Sequence, residues 1–245
     1  MRGENLGRQT RTARTSSEGL DPGTLYVVAT PIGNLEDISL RALRVLREAD
    51  VVAAEDTRSA RTLLRHYEID TPITSYHDFS GAGKGRQLVA RLVSGATVAL
   101  ISEAGMPGIS DPGFALIRDA LAADCPVTCI PGPSAVPTAL VLSGLPAHAF
   151  HYVGFLPRRP GERRRVLEHL ATEADTVVCF ESPHRLVAAL RDVVASFGAE
   201  RRMAVARELT KRFEEIIRGP TAEVLAHFEQ VTPRGEFTLV ITGVG

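Results

Sequence analysis

The sequence predicts an α/β protein of two domains, with a mainly parallel sheet in the first domain and a mixed sheet in the second. Short apolar stretches alternate with helical patterns from about residue 24 to about residue 140, as in the repeated strand–helix units of a parallel sheet. This alternation breaks at Leu145-Pro146-Ala147-His148. We therefore predict a disordered basic tail at 1–23, one domain at 24–144 and another at 145–245.

Elements of the first domain follow from short apolar runs separated by segments of helical periodicity. Leu43, Leu46 and Ala49, for example, fall on one face of a helix. Asp111 is predicted to cap a helix that has Pro112 in its first turn. The predicted strands are residues 25–29, 51–54, 97–101 and 127–130, and the predicted helices are residues 39–49, 59–67, 85–94, one from 111 and one from 134.

In the second domain two strands follow each other without an intervening helix, at 203–206 and 215–218. A short connection of this kind joins antiparallel strands, so the sheet is expected to be mixed. The other predicted strands are 150–154, 176–180 and 236–242, and the predicted helices are 162–171, 184–196 and 221–229.

The composition restricts the class of protein. The chain has 245 residues and a formal net charge of −1, so overall charge gives no argument for nucleic acid. No apolar run approaches the roughly 20 residues that span a bilayer, so no membrane association is expected. The three cysteines lie in or beside apolar runs without metal-ligand spacing, and they are interpreted as reduced thiols of a cytoplasmic protein that binds no metal.

Three turns rich in Gly and Pro are the strongest sign of function: Thr30-Pro31-Ile32-Gly33-Asn34, Ala104-Gly105-Met106-Pro107-Gly108 and Pro131-Gly132-Pro133-Ser134. Each follows a predicted strand, and such turns line the ligand crevice of a parallel sheet. The glycine pattern of a dinucleotide site and the Gly-Lys-Ser/Thr of a P-loop are both missing. Prolines remove amide donors, so the turns suit a cation or an adenine edge better than a phosphate, which points weakly toward S-adenosylmethionine.

The chain also resembles the RsmI family of small-subunit rRNA cytidine 2′-O-ribose methyltransferases, a branch of the tetrapyrrole methylase superfamily. The resemblance spans roughly residues 24–242. It is carried by the residues 25–38, Ala53-Ala54-Glu55-Asp56-Thr57-Arg58, residues 108–113, Pro131-Gly132-Pro133-Ser134-Ala135, Gly154-Phe155-Leu156-Pro157, Glu181-Ser182-Pro183-His184-Arg185 and Ala206-Arg207-Glu208-Leu209-Thr210-Lys211.

The resemblance implies the tetrapyrrole methylase fold, with S-adenosylmethionine in the cleft between two α/β domains. It also implies a homodimer that methylates the ribose of a cytidine in the decoding region of 16S rRNA, either as RNA or in the assembled small subunit. The expected cofactor-binding residues are Pro31, Gly33, Gly105, Met106, Pro107, Pro131, Gly132 and Ser134. Glu103 and Met106 depart from the family's usual Asp and Thr, so contacts to the cofactor are expected to differ there.

Methyl transfer to a ribose hydroxyl requires a group that orients the hydroxyl and a group that accepts its proton. Lys211, Glu208 and Glu55 are the candidates for these roles. Lys211 is the first candidate for activating or orienting the hydroxyl if neighbouring Arg207 and Arg212 lower the pKa of its ammonium group. The alternative is that Arg207, Glu208 and Lys211 form only a charged network that binds RNA phosphates or holds the domains together.

An arginine-rich segment supplies the candidate RNA surface, because guanidinium groups bind phosphates and stack on unpaired bases. The candidate RNA-binding residues are Arg158, Arg159, Arg163, Arg164, Arg165 and Arg207. Two other functions remain open at this point. One is methylation of a small tetrapyrrole intermediate, and the other is an RNA-binding relative without catalytic activity.

Overall fold

The computed structural model describes residues 19–77 and 81–244. The described chain forms two compact units. The first unit contains the chain up to Pro31 together with Leu35–Pro133, and the second contains Ile32–Asn34 together with the chain from Ser134 onward. Residues 1–18 of the predicted tail lie outside the described residues. Leu20, also in that predicted tail, packs against the core of the first unit.

A five-stranded parallel sheet forms the centre of the first unit, with the strand order β3-β2-β4-β1-β5. The prediction of a mainly parallel sheet is therefore confirmed. Sequence reasoning missed β3, a strand of only three partly buried or exposed residues at the sheet edge. The strands are β1 (Leu25–Val28), β2 (Val51–Ala54), β3 (Ile73–Ser75), β4 (Val98–Ile101) and β5 (Val127–Ile130).

Helices cover both faces of this sheet because successive strand residues point to opposite sides. Tyr26 and Val28 pack toward the first two helices, whereas Leu25 and Val27 pack toward the next two. These helices are α1 (Leu40–Glu48), α2 (Thr57–His66), α3 (Gly81–Val93) and α4 (Phe114–Ala122). Burial on both faces explains why every residue of β1, β2 and β4 is buried.

The predicted start of α4 is wrong. The helix begins at Phe114, and its cap residue is Gly113 instead of Asp111. Gly113 has a φ of 141°, which side-chain-bearing residues rarely adopt. A Cβ there would lie 3.3 Å from the backbone nitrogen of Gly108. The close approach of these two glycines therefore sets the helix start.

The second unit is built on a mixed sheet with the order β6-β7-β10-β8-β9, in which only β6 and β7 pair in parallel. The predicted antiparallel pairing of 203–206 with 215–218 is confirmed. The strands are β6 (Phe150–Phe155), β7 (Thr176–Glu181), β8 (Arg202–Arg207), β9 (Glu215–Pro220) and β10 (Phe237–Ile241). The helices are α5 (Ala135–Ser143), α6 (Pro160–Leu170), α7 (Leu186–Phe197) and α8 (Thr221–Gln230).

The helix α5 belongs to the second unit, whereas the sequence interpretation places it in the first domain. It packs on strands β7, β8, β9 and β10. The other helices, α6, α7 and α8, share a core with the opposite set of strand side chains, which includes Cys179 and Val205. Since both faces of this sheet carry buried apolar residues, the second face needs a cover, and α5 supplies it.

Candidate active site

The first and second turns are joined at the carboxyl edge of the parallel sheet. The backbone N–H of Thr30 donates to the Gly105 carbonyl at 2.9 Å, and the N–H of Gly105 donates to the Thr30 carbonyl at 3.0 Å. Gly105 has a φ of 80°, a conformation that glycine adopts without strain. This reciprocal pair fixes the two turns to each other.

The third turn lies against the same edge. A Cβ on Gly132 would lie 3.0 Å from the Cβ of Ala29, so a side chain at residue 132 would crowd the end of β1. The sulfur atoms of Met106 and Cys129 are 3.7 Å apart, which links the second turn to β5. The structure thus brings together Pro31, Gly105, Met106, Pro107, Pro131 and Gly132 in the first unit.

A cavity of about 250 Å³ opens beside the first two turns. Thr30, Pro31, Ser102 and Glu103 line it together with apolar side chains of α2 and β4. The strand order also favours a ligand here. β2 leads outward to β3, whereas β4 leads across the sheet to β5, and ligands of open α/β sheets bind where such connections diverge.

The lining of this edge fits S-adenosylmethionine better than a phosphate ligand. The amides of Thr30 and Gly105 already donate to each other, and Pro31 and Pro107 have no amide N–H. Few donors therefore remain for an anion. Ser102 and Glu103 instead offer oxygen atoms, which can accept hydrogen bonds from ribose hydroxyls or an amino group.

Two of the expected cofactor-binding residues, Gly33 and Ser134, belong to the second unit. Ser134 is the cap residue of α5, and its carbonyl accepts a hydrogen bond from the Thr138 hydroxyl at 2.7 Å. Gly33 lies against the loop that joins β8 to β9. A Cβ on Gly33 would lie 2.8 Å from Oγ1 of Thr210 and 2.9 Å from the Leu209 carbonyl, so only glycine fits there.

This β8–β9 loop, residues 208–214, contributes Lys211 and Glu208 to a cluster of three charged side chains, and Glu236, directly before β10, is the third. The Lys211 ammonium lies 3.0 Å from Oε1 of Glu208 and 2.8 Å from Oε2 of Glu236. The same Oε1 accepts from the N–H of Glu236 at 3.0 Å. Lys211 and Glu208 are thus brought together, whereas Glu55 follows β2 in the first unit.

The condition set for Lys211, a lowered pKa, is not met in the structure. Burial alone would lower this pKa, but the hydrogen bonds to Glu236 and Glu208 outweigh burial and raise the pKa of Lys211 above its usual value. Burial likewise opposes ionisation of Glu208, yet the hydrogen bonds from Lys211 and the Glu236 amide lower the pKa of Glu208. At neutral pH the cluster therefore contains a protonated ammonium group and an ionised carboxylate.

The backbone of the β8–β9 loop is strained at two residues. Glu208 has a φ of 50° and Thr210 a φ of 66°, a region that costs a residue with a side chain about 1 kcal/mol or more. The loop is nevertheless fixed by bonds from the Lys211 amide to the Glu208 carbonyl and from the Thr210 amide to the Glu214 carboxylate. Such retained strain is typical of functional loops.

One of the predicted RNA-binding arginines is not available to a ligand. Arg163 is only 4% exposed, and its guanidinium pairs with the Asp192 carboxylate at 2.6 Å. Arg163, Leu167 and Leu170 form the buried face of α6, and this three-to-four-residue spacing was visible in the sequence. Assigning Arg163 to RNA is therefore a prediction that the structure corrects.

The other arginines differ in how strongly they are bound within the protein. Arg158 and Arg165 are exposed. Arg159 pairs with Glu162 at 3.1 Å, and Arg164 with Asp192 at 3.1 Å. Arg207 donates to the Arg234 carbonyl at 2.8 Å and pairs with Glu215, so it braces the loop that contains Lys211.

Sequence reasoning missed Glu236 as a member of the Lys211 cluster. The residue was interpreted only as the start of the last predicted strand, and its separation of 25 positions from Lys211 hides the contact.

Among residues 19–77 and 81–244 no group of three or more His, Cys, Asp or Glu side chains is arranged to hold a metal ion. Nor does the described part of the chain contain a helix that combines the length and apolarity needed to cross a bilayer.

Comparison with known proteins identifies the family. Residues 24–225 match the model of the Tetrapyrrole (Corrin/Porphyrin) Methylases. Solved structures share the fold. Cobalt precorrin-4 methyltransferase matches with a TM-score of 0.68 and 15% identity, over 90% of this chain and 95% of that one. Uroporphyrin-III C-methyltransferase from Thermus thermophilus, complexed with S-adenyl homocysteine, matches with a TM-score of 0.62 and 21% identity, over 89% of this chain and 97% of that one.

Curated relatives are much more similar in sequence. Ribosomal RNA small subunit methyltransferase I of Halalkalibacterium halodurans is 45% identical over 96% of this chain and 81% of its own length. The protein of the same name from Thermotoga maritima is 44% identical over 91% of this chain and 99% of its own length. The chain therefore belongs to the tetrapyrrole methylase family and, within it, to the ribosomal RNA small subunit methyltransferase I group.

Proposed function

We propose that this protein transfers a methyl group from S-adenosylmethionine to the 2′-hydroxyl of a cytidine ribose in the decoding region of 16S rRNA. The observation that carries the proposal is the 45% identity, over 96% of the chain, to a relative named for methylation of small-subunit rRNA. The donor-poor edge of the first unit supports the choice of cofactor, because its oxygen-rich lining suits a cationic ligand.

In this proposal the first unit binds the cofactor through its three turns. Bound S-adenosylmethionine supplies an electrophilic methyl group on a positively charged sulfur. The Thr30–Gly105 pair keeps two turns in a fixed relation, and the Glu103 carboxylate and Ser102 offer acceptors at the cavity. Rigid placement of a reactant contributes several kcal/mol to catalysis, since entropy is lost on binding and not in the reaction step.

In this proposal, Lys211 and Glu208 of the second unit orient the ribose 2′-hydroxyl and accept its proton. Because the raised pKa keeps Lys211 protonated, Lys211 acts as a donor that orients the ribose oxygen and not as the base. Glu208, whose pKa is lowered, stays ionised, and it can accept a hydrogen bond or a proton from the hydroxyl. Glu55 of the first unit is the alternative acceptor.

The proposal also includes the oligomeric state and the cellular location of the enzyme. We expect a homodimer in the cytoplasm, where assembling small subunits would be available as substrate. Sedimentation of the purified protein tests the oligomeric state, and a monomer at all concentrations would contradict it. Exposed Arg158 and Arg165 supply cationic contacts to rRNA.

The deciding experiment incubates the protein with radiolabelled S-adenosylmethionine and, in separate reactions, small subunits, naked 16S rRNA and a tetrapyrrole precursor. We expect label in rRNA, at a cytidine whose ribose resists alkaline cleavage. Label only in the tetrapyrrole would replace this function with small-molecule methylation. Cofactor and RNA binding without any transfer would identify a catalytically silent relative.

A further inference from the structure

The helix α2 carries three arginines that the function proposed above does not use. Arg58, Arg61 and Arg65 are exposed, and their spacing of three and four residues places them on one face of the helix. In the described ranges none of their three guanidinium groups forms an ion pair with a carboxylate, whereas the Arg118 guanidinium on α4 of the same unit is paired with Asp119 at 2.7 Å. The arginine stripe on α2 is therefore a set of charges available to an external anion.

A groove of about 420 Å³ adjoins this stripe and is lined by side chains of three chemical kinds. Arg61 and Arg65 supply guanidinium groups, Leu64 and Ile69 supply apolar surface, and Glu68 and Asp70 supply carboxylates. We call it the α2 groove. The two acids do not neutralise the arginines by direct contact, since no ion pair joins them in the described structure. The arginines and the two acids of the groove are exposed, whereas Leu64 and Ile69 are buried.

The position of α2 links this groove to the cofactor edge. Ser59, Thr62 and Leu63 of the same helix line the 250 Å³ cavity beside the first two turns, whereas Arg61 and Arg65 line the α2 groove. Arg58 lies in the first turn of the helix, directly after the carboxyl end of β2. At a rise of 1.5 Å per residue, the stripe extends about 10 Å from that edge.

The backbone at the end of α2 supports a binding role. Glu68 has a φ of 53°, although glycine is the usual residue for this conformation after a helix. The strain costs about 1 kcal/mol, and it keeps a carboxylate at the groove where a glycine would have none.

We propose that the arginine stripe and the α2 groove bind a single-stranded segment of the RNA substrate, with Arg58, Arg61 and Arg65 on consecutive phosphates and one unpaired nucleotide in the groove. Guanidinium groups are suited to phosphates. Carboxylates accept hydrogen bonds from a cytosine amino group or a 2′-hydroxyl, so Glu68 and Asp70 distinguish a nucleotide from a bare phosphate. This inference depends on the proposed RNA substrate, and it assigns to the first unit an RNA surface separate from Arg158–Arg165.

The test uses the full-length double variant Arg61→Gln/Arg65→Gln, with Arg118→Gln as the matched control in the same unit. Binding of fluorescein-labelled oligocytidine RNA is measured by anisotropy over a range of salt concentrations. We expect the double variant to bind about tenfold more weakly near 0.1 M salt, and the slope of log affinity against log salt to become shallower by about 1.4, because each single-strand phosphate contact contributes about 0.7. S-adenosylmethionine affinity, measured by calorimetry, should match that of the control.

Three outcomes would overturn the assignment. The first is an affinity and salt slope equal to those of the Arg118→Gln control. The second is that the Arg61→Gln/Arg65→Gln variant binds oligocytidine normally but binds assembled small subunits more weakly, which would assign the α2 groove to a ribosomal protein. The third is equal weakening of inorganic polyphosphate and oligocytidine binding by Glu68→Gln/Asp70→Asn, which would show that the groove does not distinguish nucleotides.

Failure of the proposed function gives a different result. If the wild-type protein methylates no rRNA but still loses RNA affinity in the Arg61→Gln/Arg65→Gln variant, the enzymatic proposal fails and the α2 surface stands. If the wild-type protein methylates rRNA and the double variant binds it normally, the enzymatic proposal stands and the α2 surface fails.

Discussion

The turns at the edge of the first unit and the β8–β9 loop of the second unit are both rigid, but for opposite reasons. Thr30 and Gly105 fix two turns through paired backbone hydrogen bonds, and the φ of 80° at Gly105 is one that glycine adopts without strain. In the β8–β9 loop, Glu208 and Thr210 carry strained backbone, and charged side chains stabilise it. The difference is consistent with the proposed roles, in which a frame held by its backbone binds the cofactor and a charged loop orients the ribose hydroxyl.

The largest expected effect comes from removing the Lys211 ammonium group, which should affect the β8–β9 loop and leave the turns of the first unit unchanged. Lys211→Ala should lower turnover about a hundredfold or more, in the range of lost acid–base or orienting groups, and should leave S-adenosylmethionine affinity nearly unchanged. Steady-state rates with small subunits and calorimetry with the cofactor measure both. Lys84→Ala is the matched control, because Lys84 is the other lysine of the chain. Turnover similar to that control would remove Lys211 from the mechanism.

The next largest effect is expected from a substitution in the turns of the first unit, which leaves the β8–β9 loop unchanged. Gly132→Ala places a Cβ 3.0 Å from that of Ala29, and such overpacking should destabilise the first unit by about 1 kcal/mol and weaken S-adenosylmethionine binding about tenfold. Urea unfolding and calorimetry measure these quantities. Gly161→Ala serves as control, since a Cβ there meets nothing within 4 Å. If both variants bind the cofactor normally, the third turn is not part of its site.

A smaller effect concerns how Lys211 is kept protonated. Glu236→Gln removes one carboxylate that raises the pKa of Lys211, and turnover should fall about threefold because the Glu236 side chain is 75% exposed and the pair is screened. Glu236→Asp should restore part of the loss.

The same variant has a defined pH signature. A raised folded-state pKa means that the contribution of Lys211 to stability is complete below its ordinary value of 10.5 and is lost as pH rises through the folded value. In Glu236→Gln the contribution of Lys211 should be smaller and its loss should be complete at a lower pH, as measured by urea unfolding between about pH 9 and 11.5. An unchanged alkaline limit would show that Glu236 does not influence Lys211.

The smallest effect tests the residue at which the second turn departs from its family pattern. Met106→Thr removes a thioether whose sulfur lies 3.7 Å from that of Cys129 and a side chain packed against the core. We expect a loss of about 1–2 kcal/mol in stability and less than a threefold change in S-adenosylmethionine affinity. A larger change in affinity would mean that Met106 contacts the cofactor directly.

The sequence alone determined the parallel first sheet and the mixed second sheet, because strand–helix periodicity and the helix-free step from 203–206 to 215–218 are local signals. It also located the three turns, since proline fixes φ and glycine permits backbone conformations that other residues avoid. The family resemblance, carried by runs such as 206–211, indicated the reaction.

Tertiary structure decided the features that depend on distant residues. Only packing places α5 on the second sheet, moves the start of α4 to Phe114 and buries Arg163 against Asp192. Only the fold brings Glu236 to Lys211, where together with Glu208 it raises the pKa of the ammonium group. Local sequence restricts which backbone conformations are accessible, but the charge and burial of a side chain depend on neighbours that the chain supplies from far away.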